Sequence, residues 1–295
     1  MSAGFPSPLE DDGRSSKARR PSLSGTTSNN RCWSIINIDA SLGLATLQQE
    51  KFHCVVTSPP YFWQRDYEVA GQLGIESTIE NYVNSICGVM DNVRGVLHRS
   101  GLLFLVLGDT YYSAKGQPQG HDRKHGGRRF RVVRAVDTMG LGVPKKTAIG
   151  IPWRVALEMV SRGWVLRCPI IWHKPGITPE SNARDRPWRT YETVFMFSKS
   201  RSYHFSRAAL RSRRQEDIWS IPARSKAGRE HGAVFPPELV RRCLEIGCPE
   251  GGEVLDPFAG SGTTLKVALE MGMNATGIEI KPSYCTTMAK ELAQL

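Results

Sequence analysis

The sequence predicts an α/β fold in which a doubly wound, mostly parallel sheet carries helices on both faces. Short apolar runs alternate along the chain with longer segments whose apolar residues recur every three or four positions. Several of these runs end in an acidic residue or a glycine-rich turn, where sheets of this kind place their ligands. No repeat of fixed period divides the 295 residues, so one domain accounts for residues 32–295.

Residues 1–31 precede the first expected strand and are interpreted as a disordered tail. They are rich in Ser, Pro, Gly and charged residues and show no hydrophobic period. Within this tail, Lys17–Arg20 is a basic patch of the kind that contacts phosphate or directs nuclear entry. The simpler interpretation of that patch is a solvated charge run.

The first half of the chain contains three expected strands and a long helix. Residues 35–39 form an apolar run that ends in Asp39, and residues 54–57 form a second run that two prolines stop. Between 79 and 97, apolar residues recur at three- and four-residue spacing, which predicts one face of a long helix. The run 102–107 is apolar throughout, as is typical of a strand buried on both faces.

The second half continues the alternation of strands and helices. Pro152 opens a helix that carries Trp153, Ala156, Leu157 and Val160 and ends at Gly163. Another helix begins at Pro236–Pro237, and a third follows the glycine-rich turn near the C-terminus. The remaining strands are expected at 165–172, 193–197, 253–256 and 274–279.

The composition excludes several classes of protein. Hydrophobic residues make up 40% and charged residues 23% of the chain, as in an ordinary globular protein and unlike a disordered or collagen-like one. The run 102–107 is far short of the ~20 apolar residues that span a bilayer, and the N-terminus lacks the apolar segment of a signal peptide. Seven cysteines without a Cys-x-x-Cys pair suit free thiols, so an intracellular location is expected.

Positive charge is concentrated in two segments of the chain. The whole protein has 39 Lys+Arg against 28 Asp+Glu, a formal charge of +11. Segments 115–146 and 199–229 each contain nine Lys/Arg against two acidic residues, a local charge of +7, so the remainder is close to neutral. Such segments predict contact with a polyanion.

Residues 256–264 form a candidate cofactor motif, with the sequence Asp-Pro-Phe-Ala-Gly-Ser-Gly-Thr-Thr. Gly260 and Gly262 let the backbone approach a ligand, and the following helix offers unpaired N–H groups. Glu279 ends the next strand, 23 residues beyond Asp256, where an acid can bind both ribose hydroxyls of a nucleoside. Because Asp256 attracts cations, S-adenosylmethionine fits better than a pyrophosphate; the alternative is a turn without a ligand.

A second motif, Ser58-Pro59-Pro60-Tyr61, follows the expected strand 54–57. Consecutive prolines fix the backbone and remove two N–H donors, which leaves their carbonyl oxygens as rigid acceptors. Rigid acceptors beside a hydroxyl and an aromatic ring suit recognition of the exocyclic amino group of a stacked base. These residues also occur in ordinary turns, but the preceding strand and the cofactor motif on the same sheet favour a site.

Together these motifs resemble those of β-class DNA amino-methyltransferases, in which Ser-Pro-Pro-Tyr precedes Asp-Pro-Phe-x-Gly-Ser-Gly-Thr. The resemblance extends from Ile35 to the C-terminus. Ile38-Asp39 is similar to the acid-ended strand beside the cofactor adenine, and residues 231–236 are similar to the segment along its methionine end. Residues 171–175 and 191–197 resemble later motifs of the catalytic half.

The resemblance implies a Rossmann-like methyltransferase sheet of seven strands in circularly permuted order, with basic insertions that contact DNA. It also implies S-adenosylmethionine as the cofactor and double-stranded DNA as the partner, with no membrane. The implied catalytic residues are Ser58, Pro59, Pro60 and Tyr61. The implied cofactor contacts are Asp39, Asp256, Phe258, Gly260, Gly262, Thr263 and Glu279. Candidate DNA contacts in the basic segments are Arg128, Arg129, Arg131, Arg211, Arg213 and Arg214.

The serine of the catalytic motif bears on the base that is modified. Ser-Pro-Pro-Tyr members of the family are mostly N4-cytosine enzymes, so Ser58 favours transfer to the N4 amino group of a flipped-out cytosine. A restriction–modification setting would add a cognate endonuclease as a partner. Adenine-N6 methylation, an RNA substrate and a DNA-binding module without catalysis are the alternatives. No metal is expected, since no ligand spacing links His121, His125, His173 and His231.

Overall fold

The computed structural model describes residues 22–64, 67, 69–112, 142–176, 183–212, 216–223 and 236–295. The strands are β1 (Ser22–Thr26), β2 (Cys32–Asn37), β3 (Phe52–Thr57), β4 (Leu97–Leu107), β5 (Val165–His173), β6 (Tyr191–Ser198), β7 (Ile218–Ser220), β8 (Glu253–Asp256) and β9 (Asn274–Glu279). The helices are α1 (Ala40–Leu44), α2 (Ile79–Val96), α3 (Ile151–Ser161), α4 (Arg207–Ser212), α5 (Pro237–Gly247), α6 (Thr263–Glu270) and α7 (Pro282–Leu292). None of these helices is long and apolar enough to cross a membrane.

The strands of the described residues form one mixed sheet in the order β1-β2-β9-β8-β3-β4-β6-β5-β7. The central strands β2, β9, β8, β3 and β4 run parallel. Strand β6 runs antiparallel to both β4 and β5, and β7 pairs in parallel with β5. The predicted α/β class is therefore confirmed, and the carboxyl ends of the five central strands meet at one edge of the sheet.

The expected count of seven strands is wrong, because each edge of the sheet carries a short additional strand. At one edge β7 pairs with β5, and at the other β1 pairs antiparallel with β2. Strand β1 lies within residues 22–31, which we predicted as part of a disordered tail. It is mostly exposed and so shows no hydrophobic period; its order comes from pairing with β2 and from Gly25, which packs against the Trp33 indole. Residues 1–21 lie outside the described part of the chain.

The core has two layers, one on each face of the sheet. In β4, Phe104 and Val106 join the cluster under α5 and α6, whereas Leu103 and Leu105 join the cluster under α2 and α3. All four side chains are fully buried, and each contributes about 1.5–3 kcal/mol by leaving water. This alternation explains why the run 102–107 is apolar at every position, and it anchors β4 beside β3, the strand that leads to Ser58.

Candidate active site at the carboxyl edge of the sheet

The two motifs meet at the carboxyl edge because their strands are neighbours. Strand β3, which leads to Ser58, pairs with β8, which leads to the glycine turn. A hydrogen bond joins the strand ends directly: the Thr57 hydroxyl donates to Asp256 Oδ1 at 2.6 Å. Two stretches that lie about 200 residues apart in the sequence are thereby held side by side.

One cavity opens at this junction and takes its lining from both motifs. It holds about 820 Å³ of space between atoms, part of it open to solvent. Among the described residues, its charged side chains are Asp39 and Glu279, and none is Lys or Arg. The lining residues are Asp39, Ala40, Ser58, Pro60, Tyr67, Gly71, Gln72, Leu73, Pro257, Phe258, Gly260, Ser261, Ile278, Glu279, Ile280 and Tyr284.

The glycine turn between β8 and α6 needs its glycines for two different reasons. Gly260 has a φ of +53° and Gly262 a φ of +79°, conformations that disfavour side chains. A Cβ on Gly262 would also lie 2.5 Å from Met288 Cγ. The turn is fastened to β9 by Glu279, whose Oε2 accepts from the Gly260 N–H at 2.8 Å and whose Oε1 accepts from Lys281 N–H. Burial raises the pKa of Glu279.

Asp256 does not line the cavity, contrary to its predicted role in attracting a cation. Its side chain is 1% exposed, and its carboxylate is used within the fold. Oδ1 accepts from Thr57 Oγ1 and from the Phe258 N–H, and Oδ2 accepts from Thr264 Oγ1 at 2.8 Å. Burial raises the pKa of Asp256 to about 6, although these three hydrogen bonds oppose the shift. The residue holds β3, the turn and α6 together.

The other predicted cofactor residues divide into two groups. Asp39, Phe258, Gly260 and Glu279 line the cavity, whereas Gly262 and Thr263 lie at the start of α6 outside the lining. Asp39 caps α1, since its Oδ1 accepts from Ser41 N–H at 2.9 Å and from Leu42 N–H at 3.2 Å. The cap fixes this carboxylate at the cavity wall.

Helix α2 supports the loop of residues 58–61, which we predicted to be catalytic and call the catalytic loop. The hydroxyl of Tyr82, a fully buried residue of α2, donates to the Pro60 carbonyl at 2.8 Å. One of the two carbonyls that we expected to be free is therefore occupied within the protein. From the other side, Trp63 N–H donates to the Gly74 carbonyl at 2.6 Å, and Gln72 Oε1 accepts from Tyr67 N–H at 2.7 Å. These contacts fold residues 67–74 against the loop and into the cavity wall.

The Tyr61 hydroxyl is held by Glu192 of strand β6 and by Ser58 of its own loop. It donates to Glu192 Oε2 at 2.8 Å, and the Ser58 hydroxyl donates to the Tyr61 oxygen at 3.4 Å. Glu192 also forms an ion pair with Lys174, whose ammonium lies 4.1 Å from the centroid of the Trp172 ring. Burial, reinforced by the Glu192 carboxylate, raises the pKa of the Tyr61 phenol well above its ordinary value.

The motifs therefore predicted which loops meet, and the structure adds the side chains that fix them. The additional residues are Tyr67, Gln72, Tyr82, Lys174, Glu192 and Tyr284. Lys174 and Glu192 lie in the stretches that resemble family motifs, which was the only sequence signal for them. Tyr82 lies on the predicted apolar face of α2. The hydroxyl is the only polar atom of its side chain, and because it is buried it needs a hydrogen-bond partner.

Most of the predicted DNA contacts lie outside the described residues: Arg128, Arg129, Arg131, Arg213 and Arg214. Arg211 is exposed on α4, a helix that packs against α5 and not against the cavity. Lys199, at the start of the second basic segment, pairs with Glu50 at 2.9 Å, at the edge of the sheet opposite the cavity. The described residues contain no cluster of His, Cys, Asp or Glu placed to hold a metal; His121, His125 and His231 fall outside them.

The sequence matches a known protein family along most of its length. Residues 52–291 match the N6_N4_Mtase family model, described as DNA methylase. The chain is 38% identical over 273 residues to the Type II methyltransferase M.SmaI of Serratia marcescens, which covers 90% of this chain and 91% of that protein. It is also 38% identical over 261 residues to M.XycI of Xanthomonas campestris pv. cyanopsidis, with coverage of 86% and 85%.

Solved structures share the fold. The PvuII DNA methyltransferase, described as cytosine-N4-specific, has a TM-score of 0.68 at 22% identity and covers 90% of this chain and 86% of its own. A Thermus thermophilus protein assigned as a DNA modification methylase, solved in complex with S-adenosyl-L-methionine, has a TM-score of 0.61 at 25% identity, with coverage of 88% and 95%. Together with the shared cavity of the two motifs, these matches show that the chain belongs to the N6/N4 family of DNA methyltransferases.

Proposed function

We propose that this protein transfers the methyl group of S-adenosylmethionine to the exocyclic N4 amino group of cytosine in double-stranded DNA. The observation that carries the proposal is the cavity lined by Ser58 and Pro60 from one motif and by Gly260 and Glu279 from the other. Membership of a DNA methyltransferase family supports the reaction class. The relatives are Type II methyltransferases, and we extend the proposal to a matching restriction endonuclease as a partner.

The charge of the cavity fits S-adenosylmethionine. Its two carboxylates, Asp39 and Glu279, attract a sulfonium or ammonium cation, and the described part of the lining has no Lys or Arg that would favour a phosphate. Glu279 would accept from the ribose hydroxyls, Asp39 would lie beside the adenine, and Phe258 and Gly260 would flank the methionine part. Bound there, the cofactor supplies a methyl group activated by the positive charge on its sulfur.

The catalytic loop would hold the amino group that attacks this methyl carbon. The Ser58 hydroxyl and the Pro59 carbonyl are acceptors, and they would align the amino nitrogen for in-line attack. Tyr82 occupies the Pro60 carbonyl, which stiffens the loop and supports Pro59, rather than Pro60, as the substrate contact. Tyr61 would stack on the base once it leaves the duplex, a rearrangement that costs a few kcal/mol.

The order of elements supports a permuted form of the methyltransferase sheet. Without the edge strands β1 and β7, the order is β2-β9-β8-β3-β4-β6-β5, with β6 antiparallel. The strand before the catalytic loop, β3, precedes the cofactor strands β8 and β9 in the chain. We infer that permutation is compatible with function because both loops still meet at one edge.

The alternative is methylation of adenine N6 by the same fold, since the family includes enzymes of both kinds. Transfer to cytosine is favoured by Ser58, and the PvuII neighbour is described as cytosine-N4-specific. The two reactions give different methylated nucleosides, which a digest separates. We therefore propose to incubate the protein with plasmid DNA and methyl-labelled S-adenosylmethionine and to digest the DNA to nucleosides. The expected label is in N4-methylcytosine.

Other outcomes would overturn parts of the proposal. Label in N6-methyladenine would show that adenine, not cytosine, is the target base. Label in added RNA but not in DNA would show that RNA is the substrate. No label at all, with intact cofactor binding, would leave a DNA-binding module. Ser58→Ala should lower incorporation by about 10- to 100-fold without loss of cofactor binding, whereas the exposed Ser161→Ala serves as the matched control. Equal activity of both variants would remove Ser58 from the mechanism.

A further inference from the structure

Residues 183–191, which we name the 183–191 loop, lead into β6 at the edge of the sheet that holds the catalytic loop. The Thr190 carbonyl accepts from Lys174 N–H at 2.8 Å, next to the end of β5. The Arg186 guanidinium stacks over the Tyr111 ring at 3.5 Å, just beyond the end of β4. Glu192, the residue after the loop, binds the Tyr61 hydroxyl. The loop is thereby fixed beside the catalytic tyrosine.

The surface of this loop combines exposed aromatic rings with positive charge. Trp188 is 46% exposed and Tyr191 is 45% exposed. The only polar atom of the Trp188 side chain donates to the Ala183 carbonyl at 2.8 Å, so the exposed part of the indole is apolar. The loop also contains three arginines, at 184, 186 and 189, against one acid, Asp185, which is itself paired with Lys146.

Single exposed aromatic residues are common on protein surfaces and need no function. Here three independent features coincide: an indole whose polar atom is already satisfied, flanking arginines, and a position four residues from Glu192 in the chain. Flat rings beside cationic side chains are the combination that binds single-stranded or locally opened nucleic acid, because bases stack on the rings and phosphates pair with the cations.

We propose that the 183–191 loop is a nucleic-acid contact surface beside the active site, in which Trp188 stacks on a base and Arg184 contacts phosphate. The proposal rests on DNA being the substrate. Extrusion of the target base leaves unstacked base faces next to the opening. An exposed indole on the loop that leads to Glu192, the partner of Tyr61, can cover one of them, which would stabilise the opened duplex. This surface is separate from the two basic segments expected from the sequence.

Direct binding tests the surface without requiring methylation. Fluorescence anisotropy would measure the affinity of wild-type and variant protein for a labelled oligothymidine strand, whose bases are unstacked, and for a labelled duplex of mixed sequence. Trp188→Ala should weaken binding to the single strand by about 5- to 100-fold, as expected for loss of one stacking contact. The matched control is Trp153→Ala, since Trp153 is 47% exposed but lies on α3; it should bind both probes as the wild type does.

The charge contribution has a separate readout. Arg184→Gln should lower the slope of log affinity against log salt by about one for the duplex, with little change in the preference for the single strand. The proposal is overturned if Trp188→Ala binds the oligothymidine as tightly as the wild type, or if Trp153→Ala loses as much affinity. Calorimetry with S-adenosylmethionine checks that each variant is folded. A Trp188-dependent loss of binding in a protein that methylates no DNA would uphold this surface and refute the proposed function instead.

Discussion

The orientation of the Tyr61 ring is set by residues outside its own motif. The hydroxyl of Tyr61 is anchored by Glu192 on β6, and Lys174, after β5, neutralises that carboxylate. The ring packs against Gly108, where a Cβ would lie 2.6 Å from Tyr61 Cε2. An aromatic ring fixed at its edge and at its hydroxyl offers one orientation to a base and loses little entropy on binding. Glu192 is thus a positioning residue for the reaction we propose.

Removal of the anchoring hydroxyl should separate orientation from stacking. Tyr61→Phe keeps the ring but loses the bond to Glu192, and kcat should fall by about 10- to 100-fold while the affinity for S-adenosylmethionine is unchanged. Glu192→Gln can still accept from the phenol and should show a smaller loss. Steady-state methylation of plasmid DNA and calorimetry with the cofactor measure the two quantities.

The control for this pair is Tyr203→Phe. The Tyr203 hydroxyl also binds a charged side chain, accepting from Arg167 Nε at 2.7 Å, but at an exposed position away from the cavity. Its kcat should equal that of the wild type. If Tyr61→Phe turns over at the wild-type rate, the Glu192 contact has no role in positioning the ring.

The buried carboxyl of Asp256 predicts a pH-dependent term in stability. Its pKa is raised from 3.8 to about 6 in the folded protein, chiefly by burial, so the folded state holds the proton more tightly than the unfolded chain. This contribution to stability is therefore fully present below about pH 3.8 and is lost as the pH rises through about 6, at a total cost of roughly 3 kcal/mol. Above that pH the carboxyl is ionised, and its three hydrogen bonds offset part of the cost of burying the charge.

Asp256→Asn should remove this pH dependence and keep the fold. The amide oxygen can accept from Phe258 N–H, and the amide nitrogen can donate to the Thr264 hydroxyl, which lies 3.2 Å from the Val56 carbonyl as an alternative acceptor. Urea unfolding from about pH 4 to about pH 7 should show a smaller fall in the free energy of unfolding for Asp256→Asn than for the wild type. The exposed Asp217→Asn is the control; parallel profiles for wild type and Asp256→Asn would contradict the assignment.

How well a helix or strand could be predicted from the sequence depends on what stabilises it. Helices α2 and α5 and the strands β3, β8 and β9 agree with the expected segments to within a few residues, because their burial imposes a regular pattern on the sequence. The elements that the sequence did not predict are mostly short or lie at an edge: β1, β7, α1, α4 and α7. Only α7 has a clear signal, with Pro282 in its first turn and buried residues at three- and four-residue spacing.

Helix α3 shows where a correct boundary still gives the wrong face. It begins at Ile151, one residue before the predicted start at Pro152, and Gly163 follows its end as predicted. Ala156 is buried, but Trp153, Leu157 and Val160 are 47%, 62% and 42% exposed, and the core instead receives Val155 and Met159. Both sets are apolar and both repeat at helical spacing, so periodicity alone does not identify the buried face. The sheet decides it, since the helix must cover β6 at Phe195 and Phe197.

The candidate site, too, could be predicted only in part. Its two motifs, their strands and their meeting point at one sheet edge could be predicted, because parallel strands carry their loops to the same edge. The bond between Tyr61 and Glu192 joins residues 131 apart in the chain, and the use of Asp256 inside the fold depends on threonines from β3 and α6. Such contacts depend on side-chain packing across strands, which single-sequence patterns do not encode.

In the whole molecule, opposite charges are arranged around one edge of the sheet. The described lining of the cavity carries two carboxylates and no cationic side chain, whereas the 183–191 loop carries three arginines. The first basic segment begins after β4, and the bridge between Tyr111 and Ala148 keeps the residues that flank it at this edge. A cationic methyl donor and an anionic polymer would each meet the opposite charge, although the two sites are adjacent.

The same charge arrangement predicts which nucleotides stabilise the protein. Ligand binding raises the unfolding temperature because it stabilises the folded state by an amount that grows with the logarithm of ligand concentration over Kd, about 2.7 kcal/mol at a hundredfold excess. S-adenosylmethionine and S-adenosylhomocysteine should both raise Tm, because they share the ribose and the amino acid ammonium. ATP shares the adenosine but carries phosphates, and it should not raise Tm, because Asp39 and Glu279 repel it and no Lys or Arg among the described lining residues compensates. Glu279→Ala should weaken the response to the first two ligands, whereas Glu270→Ala, a partly exposed acid on α6, should not. A Tm rise with ATP equal to that with S-adenosylmethionine would show that the adenosine alone drives binding and that the carboxylates do not select the cation.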